Sequence, residues 1–215
     1  MPIAVRRPLV LVIVNISPLP GCYGLGRVMH KANWRRYWRD VRALPPDKER
    51  LRRALVWAVL TVHTRVPISE RDFAVYMETG DIPNHWLRIR RLRAFKDVDA
   101  YIAALDFPQF LRWPLARKLD HIVVRVYGLG YAKTAFALTF CGLADVPCLD
   151  IWALRLRLGV ERRTWKDGRA YLCDSKQAFG TRAGGQRQWA FYWHLSNSAG
   201  RAFRRTSHAI VFHYL

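Results

Sequence analysis

A chain of 215 residues, 51% of them hydrophobic, is long enough for one large domain or two lobes around a cleft, and wholesale disorder is excluded. Its 36 lysines and arginines stand against 16 acidic residues, a net charge of +20. That excess draws a polyanion, nucleic acid before an anionic membrane surface, and a neutral small molecule as sole substrate would not call for it. Cys22, Cys141, Cys148 and Cys173 form no Cys-x-x-Cys pair. Their scatter fits neither a zinc site nor an iron–sulfur cluster, and they read as reduced thiols of an intracellular, cytoplasmic protein. Residues 9–16 (LVLVIVNI) follow Arg6 and Arg7 and imitate the start of a signal peptide. The run is too short to span a bilayer and lacks a clean small-residue cleavage site, so a buried strand or tethering arm is expected.

In chain order, residues 1–26 are rich in Pro and Gly and read as an irregular arm. Residues 27–215 read as a helical domain. Between residues 26 and 43, Trp34, Tyr37 and Trp38 recur at helical spacing beside Arg35, Arg36 and Arg39. This is either a nucleic-acid contact or an amphipathic helix with its rings in the core. Asp47 is placed to cap a helix that turns apolar on every side from residue 54 to 62. Polar residues emerge at its tip, Thr61, His63, Thr64 and Arg65, before Pro67 stops simple continuation. Residues 69–80 read as another capped helix, ended by Gly80. Residues 82–94 carry Arg88, Arg90, Arg91 and Arg93, with Trp86, Ile89 and Arg93 on one face. Helices are expected over 97–106 and 108–125, broken near Pro108. Strand signals are scarce, and an all-α, multi-helix fold is expected.

The chemistry concentrates in residues 121–159. An apolar helix ends near Val126, and Gly128-Leu129-Gly130 makes a tight hairpin into a helix carrying Ala132, Lys133, Ala135 and Phe136. Two glycines can take positive φ and let a phosphate approach the backbone, where the N–H groups of the next helix face it. Leu129 is placed to plug the core between the helices. Downstream, Leu149-Asp150 leads into a third helix with Arg155, Arg157, Leu158 and Gly159, with Asp150 as its N-cap.

These residues resemble the helix-hairpin-helix DNA glycosylase superfamily, in a short, phage-type form. Gly128, Gly130, Lys133-Thr134-Ala135, Leu149-Asp150 and residues 155–159 stand where that family carries its hairpin, helix start, aspartate and following helix. Residues 60–64 (LTVHT) resemble the segment that probes the DNA stack in the family, with His63 where glutamine is common. The likeness covers roughly residues 50–165. It implies a two-lobed helical fold with the helix-hairpin-helix at about 115–140. It further implies double-stranded DNA as partner, base flipping, and N-glycosidic cleavage in base-excision repair with Asp150 as the key carboxylate. Gly128, Leu129, Gly130, Ala132, His63 and Arg65 would contact DNA. No iron–sulfur cluster is expected, a monovalent cation at the hairpin is the one inorganic ligand the likeness allows, and the protein is expected to be a monomer with no membrane partner.

Departures bear on subtype. The family's Schiff-base lysine sits two residues after the second glycine, where this chain has Ala132, and Lys133 follows one position later. Lys133 is therefore a catalytic nucleophile, a phosphate contact or a solvated helix lysine, and lyase activity is left open. Tyr127 replaces a proline, and Trp152 stands where many members have histidine. Two other functions stay open beside base excision: group transfer in DNA base hypermodification on the same fold, and a non-catalytic DNA-binding module. The segment from Gln188 to His194 reads as a packing helix or as part of a base pocket.

Overall fold

The computed structural model describes residues 42–61, 66–83, 86–188 and 190–191. The N-terminal arm, the basic-aromatic segment before residue 42, His63, Arg65 and the C-terminal residues from 192 lie outside them. Among the described residues the chain is helical, with no strand, and its elements include eight α-helices and one π-helical segment. In order these are α1 Lys48–Leu60, α2 Val66–Thr79, α3 Arg88–Ala104, α4 Phe107–Arg112, α5 Leu115–Arg125, α6 Tyr131–Phe140, α7 Ile151–Ala153 running into the π-helical Leu154–Leu158, and α8 Gly168–Phe179.

The core is built around α1. The Asp47 carboxylate starts it by accepting from the N–H groups of Glu49 (3.1 Å) and Arg50 (3.2 Å). Leu51 and every residue from Ala54 to Leu60 are then buried. A helix buried on all sides needs neighbours on all sides, and α2, α3 and α6 supply them. Full burial of side chains such as Leu51, Leu55, Val56 and Leu60 contributes about 1.5–3 kcal/mol each.

Two boundaries differ from the sequence expectation. Helix α2 begins at Val66, ahead of Ser69, because Pro67 falls in the first turn, where no backbone N–H is needed. Ser69 is freed from capping, and its hydroxyl donates to the Leu60 carbonyl at 2.9 Å. Residues 88–104 form one continuous helix, and the chain breaks at Trp113-Pro114 as well as near Pro108. Pro108 itself lies in the first turn of α4, behind the N-cap Asp106.

Helices α5 and α6 pack on each other, and α8 lies across α5. Their approach is close: a Cβ on Gly168 would sit 2.4 Å from the Ala116 carbonyl oxygen. The Asp120 carboxylate seals this corner by accepting from the Gly168 N–H (2.6 Å) and the Tyr131 hydroxyl (2.8 Å).

Candidate functional site

The hairpin joins α5 to α6 through residues 126–130. Gly128 has φ +79°, the left-handed region that favours glycine. Gly130 does not share it: as the N-cap of α6 it is extended, with φ −91° and ψ 177°. Only one of the two glycines is thus required by backbone conformation. Leu129 is 4% exposed and belongs to the core between the two helices. A Cβ at Gly128 or Gly130 would meet nothing within 4 Å, so the outer side of the turn is open. No side chain caps the first turn of α6, which begins with Tyr131, Ala132 and Lys133. Beside the turn is a shallow groove of about 500 Å³ lined by Arg93, Asp97 and residues 123–130. Tyr127 fixes its rim: its N–H donates to Asp97 at 3.1 Å, and Arg93 lies over its ring at 4.3 Å.

Lys133 projects from the first turn of α6 toward the end of α1. Its Nζ donates to the Thr61 hydroxyl at 3.0 Å, and that hydroxyl donates in turn to the Ala58 carbonyl at 2.9 Å. The end of α1 is itself held rigidly. The Leu60 carbonyl accepts from Ser69 and from Arg91 Nη2 (3.0 Å), and Arg91 forms a buried ion pair with Asp72 at 3.0 Å. Burial pulls the Lys133 amine below the usual lysine range, partly opposed by Cys148 and Asp150 nearby. Burial also pushes the Cys148 thiol up to about 12, with Asp150 adding to the rise and Lys133 opposing it.

Asp150 caps α7. Its Oδ1 accepts from the N–H groups of Trp152 (3.0 Å) and Ala153 (2.8 Å). The structure therefore brings Lys133, Asp150, Cys148 and Thr61 into one electrostatic cluster from three separate stretches of chain. The helix Asp150 starts reaches Leu158, but after its first turn it widens to a π-helix, closed by Gly159 at φ +68°. The buried Trp152 indole N–H has no hydrogen-bond partner among the described residues.

Two residues that hold this site escape a sequence reading. Tyr171, fully buried, donates its hydroxyl to the Pro147 carbonyl (2.5 Å) and accepts from the Leu149 N–H (3.0 Å). Its ring also stacks on Tyr131, the first residue after the hairpin, at 6.0 Å. One side chain thereby ties the hairpin to the run that delivers Asp150. Gln188 grips the same run: its Oε1 accepts from the Cys148 N–H at 2.7 Å, and its Nε2 donates to the Cys148 carbonyl. Neither residue belongs to a recognisable motif.

The arginines of α3 divide. Arg91 is buried against Asp72, and Arg88 pairs with Asp81 at 2.6 Å. Arg90 and Arg93 face outward. Among the described residues no group of three or more His, Cys, Asp or Glu could hold a metal ion, and no helix is long and apolar enough to cross a membrane. Comparison of the chain with family models, curated proteins and solved structures gave no match.

Proposed function

We propose that this chain is a DNA-binding base-excision enzyme, which flips a modified or damaged base from the duplex and cleaves its N-glycosidic bond. The observation that carries this reading is the convergence of Lys133 and Asp150. A glycine hairpin with an uncapped helix start is joined directly to a cationic amine, and a carboxylate from a separate loop lies within its field. The fold implied is the two-lobed helix-hairpin-helix arrangement of the glycosylase superfamily that residues 128–159 resemble.

The chemistry follows from the charges. The backbone around residues 128–133 holds a phosphate, with basic residues supplying the sequence-independent attraction. Base flipping costs a few kcal/mol. As the bond from C1′ to the base nitrogen breaks, its electron pair leaves with the base and positive charge grows on the sugar. Asp150 faces that charge and accepts the proton of an attacking water, whose oxygen bonds to C1′. Asp150 is held ready by two backbone N–H donors on one oxygen. Lys133, engaged with Thr61 and set one position later than in lyase-type relatives of the family, supports the water route.

The test is incubation of the protein with DNA carrying oxidised, alkylated and deaminated bases, with released products read by mass spectrometry. Free base and an intact abasic strand are expected. A borohydride-trapped adduct on Lys133 would replace the water route by attack of the amine on C1′. Release of no base from any substrate would overturn the proposal.

A further inference from the structure

One surface lies outside the cluster just described. Trp86 and Ile89, at the start of α3, are 79% and 82% exposed, unusual for large apolar side chains. With Arg90 and Arg93 they form one outward stripe at helical spacing. Arg90 has no ion pair among the described residues, and Arg93 is spent on the Tyr127 ring at 4.3 Å rather than on an acid. The stripe runs into the hairpin groove, where Asp97 is the first carboxylate it meets, and that carboxylate accepts from the Tyr127 N–H. The residues of the stripe are thus apolar and cationic, and through Arg93 the stripe is continuous with the hairpin groove.

We propose that this stripe is a second nucleic-acid contact, in which Trp86 stacks on an unpaired base while Arg90 and Arg93 neutralise the adjoining phosphates. Charge selects the occupant: one exposed ring beside Arg90 and Arg93, neither of them paired with an acid among the described residues, matches a base and its backbone, and a flat indole accepts any base face. From Trp86 to Arg93 is roughly 10 Å at 1.5 Å per residue, about three base steps of 3.4 Å. A strand whose phosphate sits at the hairpin therefore passes Trp86 within a few nucleotides. This rests on the reading of the chain as a DNA-binding enzyme and adds a preference for DNA with a locally opened strand.

The experiment compares a fully paired duplex with the same duplex carrying a short single-stranded gap, for wild-type protein and for Trp86→Ala, Trp86→Phe and Arg90→Gln. Dissociation constants are measured at fixed salt, with sedimentation of each protein alone. Trp86→Ala is expected to weaken gapped DNA by roughly 10- to 100-fold, the loss of one stacked base, and paired duplex by under about 3-fold. Trp86→Phe should restore most of the loss, and Arg90→Gln should weaken both substrates with a shallower salt slope. Equal affinities of wild type and Trp86→Ala for gapped DNA would overturn the inference and leave base excision standing. A wild-type dimer that Trp86→Ala dissociates, with DNA binding intact, would assign the stripe to a second copy of the chain and overturn it too. Wild-type protein that binds neither DNA would remove both readings.

Discussion

At the scale of single residues, Lys133 joins structure to chemistry. Its amine lies below the usual lysine value because burial disfavours the ammonium, with Cys148 and Asp150 recovering part of the loss. The sign of the linked stability follows. Between the lowered folded value and the unfolded value near 10.5, the unfolded chain binds more protons, so stability rises with pH across that window. Cys148, raised to about 12, acts in the opposite sense above its ordinary value of 9.0. The difference between wild type and Lys133→Met isolates the lysine. Denaturant unfolding followed as pH rises toward the unfolded value near 10.5 should show stability climbing less steeply with pH in Lys133→Met than in wild type. Parallel curves for the two proteins would show that the amine is not desolvated in the folded state.

At the scale of elements, the hairpin separates a glycine needed for folding from one needed for access. Gly128, at φ +79°, should cost about 1–2 kcal/mol as Ala through backbone strain alone, since a methyl there meets nothing. Gly130, at φ −91°, should cost under about 1 kcal/mol as Ala yet weaken DNA binding more, because on the proposed reading its methyl would stand in the path of the phosphate approaching α6. Thermal unfolding and DNA affinity of the two variants check this, and the opposite ordering would place the phosphate elsewhere. Much of this was legible in advance. Asp47 capping α1, the all-round apolar run behind it, Gly80 ending α2 and Asp150 capping α7 are local patterns whose causes lie within a few residues. What was not legible is long-range. Nothing near residues 147–150 announces that Tyr171 and Gln188 satisfy their backbone groups, and nothing near Arg91 announces that it spans α3 to the end of α1. Pro67 marks the break after α1, but a proline's sequence position does not say that it falls in the first turn of the next helix. The π-helical turn after Asp150 likewise has no sequence signature.

At the scale of the whole molecule, a net charge of +20 on 215 residues must be reconciled with a fold that engages several arginines in ion pairs. Arg91 and Arg88 are held by acids in the fold, and Arg155 pairs with Glu161. A large cationic excess remains for a polyanion. Each phosphate neutralised should contribute a slope of about −0.9 in log affinity against log salt for duplex DNA, and titrations at several salt concentrations that gave a flat line would contradict DNA as the partner. The central claim is narrower: the carboxylate behind the hairpin performs the bond cleavage. Asp150→Asn tests it most directly. Asparagine is also a good N-cap, so stability should change by no more than about 1 kcal/mol. The substitution removes the negative charge that faces the cationic sugar, a loss that commonly costs on the order of 100- to 1000-fold in rate. Base release and DNA affinity are to be measured together on wild type and Asp150→Asn. The account predicts a folded variant that binds DNA at least as tightly as wild type and releases base on the order of 100-fold more slowly or worse. Base release at the wild-type rate by a folded Asp150→Asn protein would contradict it.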